Sequence, residues 1–460
     1  MKRLISLLST LCLLCACNSD LDNSLVTKPE PENSQFTKIS NINQDITPDE
    51  ASAVAMQYLA SETESRSPQF SRVKNIVTIT DDNNTPTLYA VNFDDGYILI
   101  SASKSSNPIQ AIVKHGTYEN NDTFTARDFV VNDLISMIKS AKVDNTTQNR
   151  ALWLPYEQSS KLTTPQSRAI SPELTDARDQ MEYDMGSLGY EVFVSNDEIL
   201  QDIMPTDIYD RFMSLIESYS NEFEMELDQD AKYAGLVGIK SINRQIDSKP
   251  KCSTIWGQEA PYNSATPGNK PLGCVTVAVG QLMKYYKKPD TYNWDAMPNR
   301  IYSSAYPDLI NFLDELRTRL NVDDSGGANI NDALRVLKSY GYNASIDTYY
   351  IATTPCYARG TNIYKDDDEY TGHAWIYDGE KTTYYSTVYV LYFPTEEHWP
   401  EFVYKKIDEY VTPESSYTMT YINWGWDGDF NGWYKTPTFK DGNGKLYSYT
   451  SNCKFINIKN

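Results

Sequence analysis

Cys274 opens the stretch CVTVAVGQLMKYY directly after Pro271-Leu272-Gly273, and a thiol so placed can act as a nucleophile. Apolar residues recur at Val275, Ala278, Val279, Leu282, Met283 and Tyr286, a spacing that predicts a helix over 274–286 with one buried face. Gly273 and Pro271 interrupt the chain before it, Lys284, Lys287 and Lys288 gather near its end, and Pro289 stops it. The sulfur then sits at the positive end of a helix, where a thiol is drawn toward thiolate. The same cysteine also reads as a small buried residue starting a core helix. A thiolate that attacks carbonyl carbon needs a base, and there are only three histidines. His115, in VKHGTYENN, reads as a turn residue, and His398, in TEEHWPEF, as part of a surface loop among carboxylates. His373 follows Gly372 and leads the β-prone run AWIYDG, so a strand can hold it while the glycine leaves room beside it. Cys274 from a helix layer and His373 from a sheet layer would meet across a cleft.

The elements that must position this pair divide the chain. Residues 46–60 read as a capped helix, with Thr47 as cap, Pro48 in the first turn and Glu50 three residues on. VKNIVTIT, TLYAVNF and GYILISAS are short β-prone runs between Asp/Asn-rich turns, and ARDFVVNDLISMIKSAK returns to helical spacing. Residues 46–142 are thus expected to form one α+β unit. Residues 143–250 begin linker-like and continue into two acidic helical stretches, whose Met181, Tyr183, Phe212 and Leu215 call for docking on a neighbour. From residue 251 the chain becomes rich in Trp, Tyr and Gly. Helices are predicted at 274–286, 307–320 and 330–340, with several strands after 345, an α+β order with helices first.

The 460 residues carry a formal charge of −21, which excludes a general nucleic-acid binder. The acidity is uneven: 20 Lys and Arg face 25 Asp and Glu from residue 251 on, against 21 and 37 before it. MKRLISLLSTLCLLCACNSD has a basic start and an apolar run from Leu4 to Leu14, too short to span a bilayer and suited to a signal peptide. Leu14-Cys15-Ala16-Cys17 resembles a bacterial lipobox with Cys17 as the lipidated residue, a plain secretory signal being the alternative. The expected layout is a signal over 1–16, a polar tether over 17–45, the α+β unit, the acidic segment over 143–250 and a catalytic domain over 251–460. Cys252, Cys274, Cys356 and Cys453 lie outside the signal without a CxxC pair, so no zinc framework is expected. Two of them could pair in an oxidising compartment, whereas a catalytic thiol must stay free. DGDFNGWYKTPT imitates the start of a calcium loop through Asp427, Asp429, Asn431 and Gly432, but Thr438 stands where the bidentate glutamate belongs, and it reads as a turn. The acidic run Asp366 to Glu369 reads as a solvated loop. No Gly-rich phosphate loop occurs, and neither metal nor cofactor is expected.

WGQEAPYN (256–263), PLGCVTVAVGQLMKYY, GGANINDALRVLKSYGYNASI (326–346), GHAWIYDG and YINWGWDGDFNGWY (421–434) resemble, in this order, blocks of the streptopain family of secreted bacterial cysteine peptidases. The resemblance spans 252–460 and implies a papain-like two-layer catalytic domain, with Cys274 as nucleophile and His373 as general base. It implies that the Gln258 amide, beside the Cys274 N–H, donates to the oxyanion. Asn423 would orient the imidazole, and Trp424 would shield that contact from water. Residues 46–142 are similar to the family's pro-domain and inhibitor module, which implies a zymogen whose N-terminal unit covers the cleft. NVDDSGGANIND lacks the family's Met-Asp-Tyr ahead of its glycine-serine stretch, so the loops framing the cleft are expected to differ. The implied function is a secreted or lipid-anchored endopeptidase acting on protein or peptide. Two other readings remain open: a catalytically silent surface binding lipoprotein, and an acyltransferase sharing the nucleophile.

Overall fold

The computed structural model describes residues 45–61, 72–120, 126–144, 149, 152–153, 156, 172–195, 197, 200–222, 235–351, 353–361, 372–398, 401–435, 438–440, 446–448 and 453–459. The signal, Cys17, most of the tether and the run Asp366 to Glu369 lie outside the described residues. Among the described residues, no helix is long and apolar enough to cross a membrane.

Helix α1 (Pro48–Ser61) begins with a reciprocal box: Thr47 N donates to Glu50 Oε2 at 2.7 Å and Glu50 N to Thr47 Oγ1 at 3.2 Å. Strands β1 (Asn75–Thr80), β2 (Pro86–Asn92), β3 (Tyr97–Ser101) and β4 (Ile109–Val113) form an antiparallel meander, followed by α2 (Ala126–Asp144). Next come α3 (Pro172–Ser187), β5 (Glu191–Val194), α4 (Leu200–Ile203), α5 (Thr206–Glu222) and β6 (Leu236–Ser248). The three predicted C-terminal helices form as α6 (Cys274–Tyr286), α7 (Pro307–Arg319) and α8 (Ile330–Ser339). The strands after them are β7 (Ala344–Asp347), β8 (Tyr349–Tyr350), β9 (Cys356–Thr361), β10 (Gly372–His398), β11 (Glu401–Val411), β12 (Ser415–Asn423), β13 (Gly432–Lys435), β14 (Thr438–Lys440), β15 (Leu446–Ser448) and β16 (Lys454–Ile458). The architecture is α+β, with antiparallel pairing throughout the main sheet.

Alternation sorts this sheet into two faces. Tyr357, Ala374, Ile376, Ile456 and Ile458 pack against α6, α7 and α8 in one core. Their neighbours Cys356, Ala358, Trp375, Tyr377 and Phe455 point the other way, into a core shared with Val130, Val131, Leu134 and Ile138 of α2. Strand β4 also pairs edge to edge with β13, Val113 opposite Gly432 and Ala111 opposite Tyr434, so the N-terminal meander continues the C-terminal sheet.

Two expectations change. Helix α6 buries every residue from Val275 to Met283, not one face, because sheet and helices enclose it until Lys284 reaches solvent. Nor is 143–250 only a linker with docked helices. Strand β6 pairs with β10 from Leu236 opposite Tyr392 to Ser248 opposite Glu380, and β11 pairs with the outer half of β10. Ile203, Phe212, Ile216 and Val237 share a core with Tyr389, Leu391 and Phe393, while Met185 and Leu236 share another with Val390 and Tyr404. Residues from both sides of the expected boundary at 251 thus build one arm. Phe212 is buried and Met181 and Leu215 half-buried there, but Tyr183 stays 74% exposed.

Candidate active site

Gly273 precedes α6 with φ +80°, and a Cβ there would run into the carbonyl oxygen of Gly326, itself at φ +90°. Two glycine backbones crossing at contact therefore fix where the helix starts and where Cys274 emerges. The thiol is free and half-buried. Burial acts to raise its pKa, but the charge of His373, a hydrogen bond to its imidazole and N–H groups of Ala374 and Val275 bring it below the ordinary thiol value. The first turn of α6 holds no carboxylate to oppose the thiolate.

His373 enters on β10 and is 8% exposed. Its Nε2 lies 3.0 Å from the Trp424 carbonyl oxygen, which can only accept, so Nε2 carries the proton and Nδ1 is left to serve the thiol. Trp375 stacks 6.2 Å from the imidazole, and Trp424 and Trp426 flank it at 6.1 and 5.0 Å. The ring is thus walled by indoles.

Asn423 does not take the role expected of its side chain. Its Nδ2 donates to the Thr254 carbonyl at 2.7 Å and its Oδ1 accepts from Gly425 N at 3.2 Å, so it holds the loop whose main chain orients His373. Trp424 supplies that carbonyl as well as an aromatic wall. Gln258 is half-buried, and its carbonyl accepts from Leu272 N at 3.0 Å, two residues before Cys274. Its loop is tied to the tryptophan loop, Asp427 N donating to the Trp256 carbonyl at 3.3 Å. The turn residue Asp427 is occupied by Arg300, at 3.1 and 2.7 Å, and by the Tyr262 hydroxyl at 2.7 Å.

Cys252 and Cys356 are also free and buried, and burial raises both thiols, Cys252 to about 12. His115 pairs with Asp95 at 2.7 Å in the N-terminal unit, and His398 ends β10 opposite Glu401 instead of lying in a loop. The N-terminal unit meets the rim of the site: Phe430 N donates to the His115 carbonyl at 3.2 Å, and the Phe430 ring packs on Trp426.

Two known families match segments of the chain. Residues 256–316 match the Peptidase C10 family, and residues 43–135 match the Spi protease inhibitor family. These two segments show the resemblance to streptopain-type cysteine peptidases and their inhibitor module. A solved structure of a mutant Prevotella intermedia prointerpain A fragment 39–359 is similar at 15% identity, covering 83% of this chain and 97% of that one, with a TM-score of 0.37. No curated protein matches the chain.

Proposed function

We propose that the chain is the precursor of a papain-like cysteine endopeptidase, held at a bacterial cell envelope by lipid on Cys17, with residues 46–142 as its inhibitory pro-domain. The observation that carries this reading is the contact between the Cys274 thiol and a His373 ring whose other nitrogen is held by main chain. In the reaction the sulfur attacks the scissile carbonyl carbon while the Gln258 amide and the Cys274 N–H steady the oxyanion. The imidazolium then protonates the departing amine, leaving a thioester and neutral His373. Water, deprotonated by His373, attacks that thioester and frees the acid and the thiol. The tryptophans around the ring exclude competing water.

Support for a zymogen comes from the inhibitor-family segment lying ahead of the peptidase segment in one chain. Because α3, β5, α4, α5 and β6 are built into the arm, processing that releases 46–142 leaves these elements with the enzyme. The test is peptide hydrolysis by the processed chain, with and without Cys274→Ala, alongside N-terminal sequencing. Release of free amine that vanishes with the substitution supports the reading, and activity that persists rejects Cys274 as nucleophile. Failure of a thiol-reactive peptide probe to label Cys274 in both full-length and processed chains favours the silent binder.

A further inference from the structure

Gln281 lies two turns along α6 from Cys274 and is fully buried. A buried primary amide is costly unless its groups are paired. Its Oε1 accepts from the Trp256 main-chain N–H at 3.0 Å and from Asn423 Nδ2 at 3.3 Å, while its Nε2 faces Asn423 Oδ1 at 3.4 Å. Main-chain partners fix both amide orientations: Trp256 N–H can only donate to Gln281, and the Thr254 carbonyl can only accept from Asn423.

We propose that Gln281 is a positioning residue that clamps two loops to the helix that carries Cys274. One loop, through Trp256, carries the proposed oxyanion donor Gln258. The other, through Asn423, carries the Trp424 carbonyl that orients His373. Sulfur, oxyanion donor and imidazole come from three separate segments, and this amide touches all three, beside the pairwise bonds from Leu272 N to Gln258, Asp427 N to Trp256 and Asn423 to Thr254. The inference rests on the peptidase reading for its chemistry, though the clamp itself is a matter of geometry.

The test replaces the amide by a side chain of similar volume, Gln281→Met, in the full chain and its processed form. Iodoacetamide labelling of Cys274 is followed against pH by mass spectrometry, and kcat and KM are measured on peptide. With the fold intact by near-UV circular dichroism, kcat is expected to fall about 10- to 100-fold with KM within about threefold, as misplaced groups lose transition-state contacts. The labelling midpoint is expected to move up toward the ordinary thiol value of 9.0 as the imidazole loosens. Should the methionine variant not fold, Gln281→Asn, too short to reach both loops, is expected to give the same changes. Parent-like kcat and labelling in a folded variant overturn the proposal, as does loss of the fold in both variants, which would make the role purely structural. If the parent shows no Cys274-dependent hydrolysis, the peptidase reading fails, and the labelling shift alone still judges the clamp.

Discussion

Cys252 and Cys274 are both free thiols, yet their surroundings drive them apart. Burial pushes Cys252 up to about 12, while His373 and two N–H groups outweigh burial at Cys274 and lower it. At pH 7.5 iodoacetamide is therefore expected to modify Cys274 and spare Cys252 and Cys356, which peptide mass mapping checks. The sign follows from the lowered value: reactivity holds below the ordinary thiol pKa and disappears as acidification protonates the pair. Equal labelling of Cys252 would contradict the assignment. At this scale the sequence was a good guide to side chains and a poor one to main chain. A thiol and an imidazole announce themselves by residue type. The Trp424 carbonyl does not, since every residue has one, and the family resemblance points instead to the side chain of the neighbouring Asn423. Gln281 was visible in the stretch beside Cys274, but a glutamine among apolar residues says nothing of its partners until the fold supplies them.

At the scale of elements, local signals were readable where local physics decides. The box at Thr47 and Glu50 marked α1, and the start and stop of α6 fell where glycine, cysteine and lysine placed them. Strand β6 is not legible in the sequence because residues 243–247 are exposed on both faces, leaving no alternation to read. It is a strand because β10, far along the chain, offers it a hydrogen-bonding edge. The 27-residue β10 has neighbours that change along its length, from β9 and β12 to β6 and β11, so it reads in sequence as several strands. The crossing of Gly273 and Gly326 yields a direct expectation. Gly273→Ala would push a methyl into the Gly326 carbonyl and displace the start of α6, lowering kcat/KM by about 10²-fold. Unchanged far-UV circular dichroism beside that loss would locate the effect at the thiol, and activity close to the parent's would show the contact to be dispensable.

For the whole molecule, the arm redraws the expected boundary at 251. A chain beginning at 251 would lack the partners of Tyr389, Leu391 and Phe393, whereas one beginning at 172 keeps them. The longer piece is expected to unfold cooperatively by calorimetry and the shorter to aggregate on expression. The seam with the N-terminal unit carries its own pH dependence. Burial raises the Asp133 carboxyl on α2, beside Tyr377, from 3.8 to about 7. A raised acid favours the docked state while protonated, so its contribution is full below about pH 3.8 and lost as pH climbs through 7. Thermal midpoints of the Cys274→Ala chain should decline between pH 5 and 8 more steeply than those of a chain also carrying Asp133→Asn, and parallel curves would refute this. Departure of the N-terminal unit would leave two torn margins: β13 with its peptide groups unmatched, and a greasy patch of Trp375, Tyr377 and Phe455 open to water. Activation would then come with stickiness, and a freed enzyme would gain from finding a new cover, whether its substrate's backbone, a lipid surface or a sister molecule.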